Sequence, residues 1–159
     1  MLYHPGMRIA LGADHAGYAT KEAVRRFLDG LAIPYDDVGT FSGEPVDYPD
    51  IAALVARGVS SGVYDRGILV CGTGIGMAIA ANKFSGVRAA PVVDPVSARL
   101  SREHNDANVL ALGGRVTPPA VALEIVKTFL DTPFEGGRHQ RRLDKIARLE
   151  THPGTDGNT

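Results

Sequence analysis

The chain predicts a three-layer α/β/α, Rossmann-like fold around a five-stranded parallel sheet, and three observations predict it. Short apolar runs alternate with amphipathic stretches along the chain, with no domain break. Glycine and proline punctuate the boundaries: Gly30, Gly86 and Gly113 stand where elements should stop, and Pro49 and Pro118 suit first turns of helices. One run, GILVCGTGIGM at 67–77, passes from a buried strand through alternating glycines into a helix-forming stretch.

Taken in order, strands are expected at 8–13, 33–38, 67–71, 87–93 and 108–112. Helices are expected at about 18–29, 49–61, 75–84, 95–104, 118–131 and 138–150. Pro91 inside the fourth strand argues for an irregular or edge-like stretch. The expected strand order is 2-1-3-4-5. The domain is expected over 7–150, with a loose leader at 1–6 and a disordered tail at 151–159.

Composition narrows the function. With 159 residues, 44% hydrophobic, the chain can bury one core. A net charge of -1 gives no global basic field for nucleic acid or a membrane surface. No apolar run approaches the ~20 residues of a membrane span. The first residues lack the basic and apolar regions of a signal peptide. The single cysteine cannot form an internal disulfide, which fits a cytoplasmic location, and no Cys/His spacing resembles a metal site.

In sheets of this kind ligands bind beyond the C-terminal strand ends, where the order reverses. The order 2-1-3-4-5 puts the crevice between strands 1 and 3. Asp14 and His15 end the first; Cys71 and its glycine loop end the third. Cys71, before a helix N-terminus, is expected to favour its thiolate and act as a base or nucleophile. The bland alternative is a small buried hydrophobe. Gly72, Gly74 and Gly76 are more glycine than one turn needs, so their backbone N–H groups are expected to cradle an anion. Thr73 and Asn105 can add side-chain donors.

Asp14 and His15 otherwise read as a helix cap and a surface histidine. Arg138 and Arg142 fall one helical turn apart on one face, a two-point phosphate clamp or merely a solvated basic face. Arg115 follows Gly113 and Gly114 at the end of strand 5, a further anion ligand. His104 and Asn105 follow the fourth helix, at the sheet edge opposite Cys71 on this strand order. A role in the crevice therefore needs a second subunit. The nearest rival is a dinucleotide fingerprint, with Asp94 as the ribose-binding acid. Met77 stands where its third glycine should be, and the loop follows the third strand, not the first. A Walker A loop is absent.

The ordered set Gly12–Gly17, Asp47-Tyr48-Pro49, Cys71–Gly76, Ala81-Asn82-Lys83, His104–Leu110, Gly113-Gly114-Arg115 and Gly137–Arg142 resembles the ribose-5-phosphate isomerase B family, which includes galactose-6-phosphate isomerase subunits. The resemblance runs from about Met7 to Glu150. It implies a metal-free, cofactor-free aldose–ketose isomerase working on a small sugar phosphate, with ribose 5-phosphate and ribulose 5-phosphate as the expected pair. A six- or four-carbon phosphate is the alternative, and a nucleotide-binding sensor on the same fold is a remoter one. By this resemblance His104 helps open the furanose ring, Cys71 shuttles a proton between C2 and C1, and Thr73 assists. Backbone groups of Gly72, Gly74, Ile75 and Gly76 stabilise a cis-enediolate. Asp14, His15, Tyr48, Asn105, Arg115, Arg138 and Arg142 bind substrate. Cys71 with Met77 resembles the branch that uses cysteine as base; the other branch has serine and a glutamate at those places. The resemblance also implies a homodimer or tetramer with shared sites.

Overall fold

The computed structural model describes residues 5–152. Of the expected leader and tail, 1–4 and 153–159 lie outside the described residues. Thr151, expected to begin the disordered tail, instead closes the last helix.

The elements alternate as β1 (Ile9–Ala13), α1 (Tyr18–Gly30), β2 (Asp36–Asp37), α2 (Tyr48–Ser60), β3 (Arg66–Cys71), α3 (Ile75–Ala81), β4 (Ala89–Pro91), α4 (Pro95–Asn105), β5 (Val109–Gly113), α5 (Pro119–Asp131) and α6 (Arg138–Thr151). All strand pairings are parallel. The continuous apolar runs of β1 and β5 are buried throughout, as strands covered on both faces must be. Two hydrophobic clusters fill the two sides of the sheet. Phe129, Leu28 and Val24 help to close one, under α1, α4 and α5. Val55, Met77 and Ala81 help to close the other, under α2 and α3.

The sheet order is β2-β1-β3-β5-β4, which corrects the expected 2-1-3-4-5. β5 lies beside β3, and β4 forms the edge. The physical reason stands in the sequence. Pro91 has no N–H to give to a neighbouring strand, and β4 pairs for only three residues. The all-apolar β5 has no such defect and takes the interior place. Beyond β4, the side chain of Asn82 takes up the edge: its Nδ2 donates to the Ala89 carbonyl at 3.0 Å and its Oδ1 accepts the Ala89 N–H at 2.7 Å. That pairing also explains why α3 stops at Ala81, short of the expected 84. β2, expected over six residues, pairs for only two because Asp36 and Asp37 give it no apolar face.

The crevice between β1 and β3 survives the reordering. α1 leaves β1 toward β2 on one face of the sheet, and α3 leaves β3 toward β4 on the other. Their connecting loops therefore part at that point.

Candidate active site

Three loops meet at the C-terminal end of the sheet. Cys71 ends β3 and is 4% exposed. Its carbonyl accepts the Gly114 N–H at 2.7 Å, and the Gly72 carbonyl accepts that of Arg115 at 3.0 Å. The β5–α5 loop is thereby fastened alongside the glycine loop, with the Arg115 side chain exposed beside it. From the other side, Asp14 donates its N–H to the Val70 carbonyl at 3.1 Å. Asp14, His15, Cys71, the glycine loop and Arg115 thus share one rim.

The glycine loop has a specific internal order. Gly74 adopts φ +81°, a left-handed conformation that side chains disfavour. Its N–H turns back and donates to Cys71 Sγ at 3.2 Å. Thr73 Oγ1 accepts the Ile75 N–H at 3.2 Å. Of the expected anion cradle, the Gly74 and Ile75 amides are thus directed at the sulfur and the threonine hydroxyl. The amide of Gly76, in the first turn of α3, has no partner within the helix and remains the donor suited to a developing anion, whereas Met77 beside it is fully buried. Gly76 is required for another reason. A Cβ there would come within 2.7 Å of the Tyr48 ring, which lies against the loop from the start of α2.

His15 is oriented by a backbone amide. Its Nδ1 accepts the Val46 N–H at 3.2 Å, so in the neutral ring the proton sits on Nε2 and can be donated to a ligand oxygen. Asp14 Oδ1 accepts the Gly17 N–H at 2.9 Å. Its Oδ2 accepts no hydrogen bond among the described residues. The wall behind these residues rests on a pair that sequence reasoning missed. The fully buried Lys21 donates to both carboxylate oxygens of Asp37 at 2.7 Å, and Asp37 accepts the Gly39 N–H at 3.0 Å. A lysine within an amphipathic helix carries no signal for this.

The remaining expected residues lie elsewhere. α4 runs back from the C-terminal strand ends, so His104 and Asn105 arrive at the N-terminal edge. Gly67, at that edge, and Cys71 are four residues apart on β3, about 13 Å of extended chain. The separation runs along the strands, not across the sheet as the expected order required. The His104 ring stacks on His139 with centroids 4.3 Å apart and planes 14° from parallel. His139 is 4% exposed and sits in the first turn of α6, between Arg138 and Arg142, both exposed. One chain therefore gathers His104 and the α6 arginines at one end and Cys71 at the other. Burial, then the nearby charges of Arg138 and His104, push the His139 ring below the usual histidine range.

No ligand spacing is evident in the sequence, yet the fold brings His104, Glu135 and His139 together, with their ligand atoms all within 4.8 Å of one another. Asp94, the acid of the rival dinucleotide reading, is committed to helix capping. It accepts the Ser97 N–H at 2.7 Å and the Ser97 hydroxyl at 2.8 Å. These bonds hold its carboxyl below the usual range.

Fold and site together define a doubly wound α/β protein with a cysteine–glycine loop at its switch point, the class of a small-molecule anion site. The chain belongs to the Ribose/Galactose Isomerase family, whose model matches residues 9–146. It is 48% identical over 143 residues to ribose-5-phosphate isomerase B of Escherichia coli, covering 90% of this chain and 96% of that protein. It is 42% identical over 145 residues to the D-erythrulose-4-phosphate isomerase of Pectobacterium atrosepticum, covering 91% and 95%. The crystal structure of ribose-5-phosphate isomerase B from Mycoplasma genitalium, with ribulose-5-phosphate bound, superposes with a TM-score of 0.90 at 43% identity, covering 94% and 99%. No helix among the described residues is long and apolar enough to cross a membrane.

Proposed function

We propose that this protein interconverts D-ribose 5-phosphate and D-ribulose 5-phosphate without a metal, as a cytoplasmic enzyme of the pentose phosphate pathway. The observation that carries this reading is the Cys71 sulfur at the switch point, held by the Gly74 N–H and flanked by Asp14, His15 and Arg115. The Gly74 N–H aims at the sulfur that, as the base, takes a proton beside a carbonyl. Cys71 removes the C2 proton of the open aldose and returns it to C1. The oxygen charge of the cis-enediolate forms beside the Gly76 amide in the first turn of α3, while Thr73 keeps the loop in place. The His15 Nε2–H and the Arg115 guanidinium hold polar ends of the substrate, and Tyr48 closes one wall.

Ring opening and phosphate capture then fall to the other end of a second copy. His104, Asn105, Arg138 and Arg142 travel together on one chain, so the same partner supplies all four. Exposed Ile79, Val93, Val96, Ile146 and Leu149 offer the apolar surface that such a contact covers. The deciding experiment is an isomerisation assay across four-, five- and six-carbon aldose phosphates, read as relative kcat/KM. The five-carbon sugar should lead. The 42% identity to an erythrulose-4-phosphate isomerase favours one second reading, a four-carbon substrate in the same site. A lead by that sugar, or no isomerisation at all, would replace the first.

A further inference from the structure

His139 is a buried imidazole that the proposed chemistry does not use. Its Nε2 is shut off from solvent and makes no hydrogen bond among the described residues. It faces Glu135 Oε2 at 3.4 Å, a contact without hydrogen-bond geometry. A buried ring nitrogen with no bond is an unfavourable arrangement that a ligand would relieve. The third group beside it is His104, half-buried on the stacked ring.

We propose that His104, Glu135 and His139 form a transition-metal site, taking Zn²⁺ or a similar divalent ion, and that its occupation withdraws His104 from the sugar. Two imidazoles and one carboxylate are a donor set that zinc accepts, with a fourth position left to water. Metal–ligand bonds near ~2.1 Å in a tetrahedron set donors about 3.4 Å apart. The His139–Glu135 pair stands at 3.4 Å. All three donors lie within 4.8 Å, so none has more than about 1.4 Å to close. His139 is fixed by burial. Glu135, whose side chain is 49% exposed, and His104 are the ones free to move. Parallel rings cannot both aim their nitrogens at one ion, so His104 must turn out of the stack to bind. That turn is what removes it from ring opening. This consequence rests on the proposed function, whereas the site itself does not.

The test separates the two. Zn²⁺ is titrated calorimetrically into metal-stripped Cys71→Ser protein, which has no thiol to compete. One ion per chain is expected. Glu135→Gln in that background should weaken binding by about tenfold or more while the circular dichroism and melting temperature stay unchanged. His139→Gln should weaken it likewise. Absence of binding, or equal affinity in Glu135→Gln, overturns the site whatever the protein catalyses. In the protein with its cysteine, Zn²⁺ should slow isomerisation, and Glu135→Gln should raise the half-inhibiting concentration by the same factor without changing turnover in EDTA. Equal sensitivity of the two proteins would place the ion on Cys71 and overturn the regulatory half.

Discussion

The amide of Gly74 donates to the sulfur of Cys71 across 3.2 Å, in a turn that only its left-handed backbone permits. The loop after β3 is therefore built around the sulfur, and the first expectation concerns that atom. Cys71→Ser should lower kcat by roughly two to three orders of magnitude with little change in KM, the pattern of a group needed for the chemical step. Iodoacetamide should inactivate the protein, and substrate should protect it. Turnover near that of the parent would remove Cys71 from the mechanism.

The proposed phosphate clamp is tested by a ratio. Arg142→Ala should raise KM for the phosphorylated sugar by about tenfold or more and leave a non-phosphorylated analogue nearly untouched, since a charge-assisted bond is worth ~1.5–3 kcal/mol. Equal losses for both would make the arginine structural. Lysine at 138 or 142 should restore only part, lacking the fork of a guanidinium.

EDTA and exhaustive dialysis should leave isomerisation intact, because in the proposed mechanism the Gly76 amide and the arginines stabilise the anion unaided. Activity lost to EDTA and restored specifically by Mn²⁺ or Zn²⁺ would overturn metal-free catalysis.

Complementation tests the division of the site. Cys71→Ala and His104→Ala should each be folded and inactive. Subunit exchange in an equal mixture produces hybrids, each with one site carrying both defects and one carrying neither. With about half the dimers hybrid, about a quarter of all sites become intact. Activity should appear on mixing. Continued inactivity after exchange has been demonstrated would mean that one chain supplies both residues to its own site.

The buried stack makes stability depend on pH in a definite direction. The folded-state pKa of His139 is depressed, chiefly by burial, so the unfolded chain binds its proton more readily. Stability from this group is full above the unfolded value near ~6.5 and declines as pH falls from there toward the folded value. The melting temperature should fall more between pH 7 and 5.5 in the parent than in His139→Gln. Parallel curves would show that the ring does not titrate on unfolding.

Much of this was legible in the sequence because it is local. The apolar runs of β3 and β5, the glycines after Cys71 and the amphipathic helices are written in neighbouring residues. Pro91 even carried the edge position of β4, although strand order counted from the chain alone placed β4 inside. What stayed hidden depends on contacts between distant segments. His104 and Glu135 are brought together by the packing of α6 on α4, and Glu135 lies in the loop before α6, so its spacing to His139 does not read as a helical turn. Likewise the amides of Gly74 and Ile75 look available in sequence. Only the fold shows them spent on Cys71 and Thr73.

Asn82 stands in for a sixth strand. By pairing its side-chain amide with Ala89, beside a proline that offers no donor, it seals one margin of the sheet, and the two aspartates of β2 make the other uninviting. A ribbon so finished offers an incoming strand little to pair with. Helices and loops are then the surfaces left for contact with another copy, and contacts of that kind can close into small symmetric sets that stop growing.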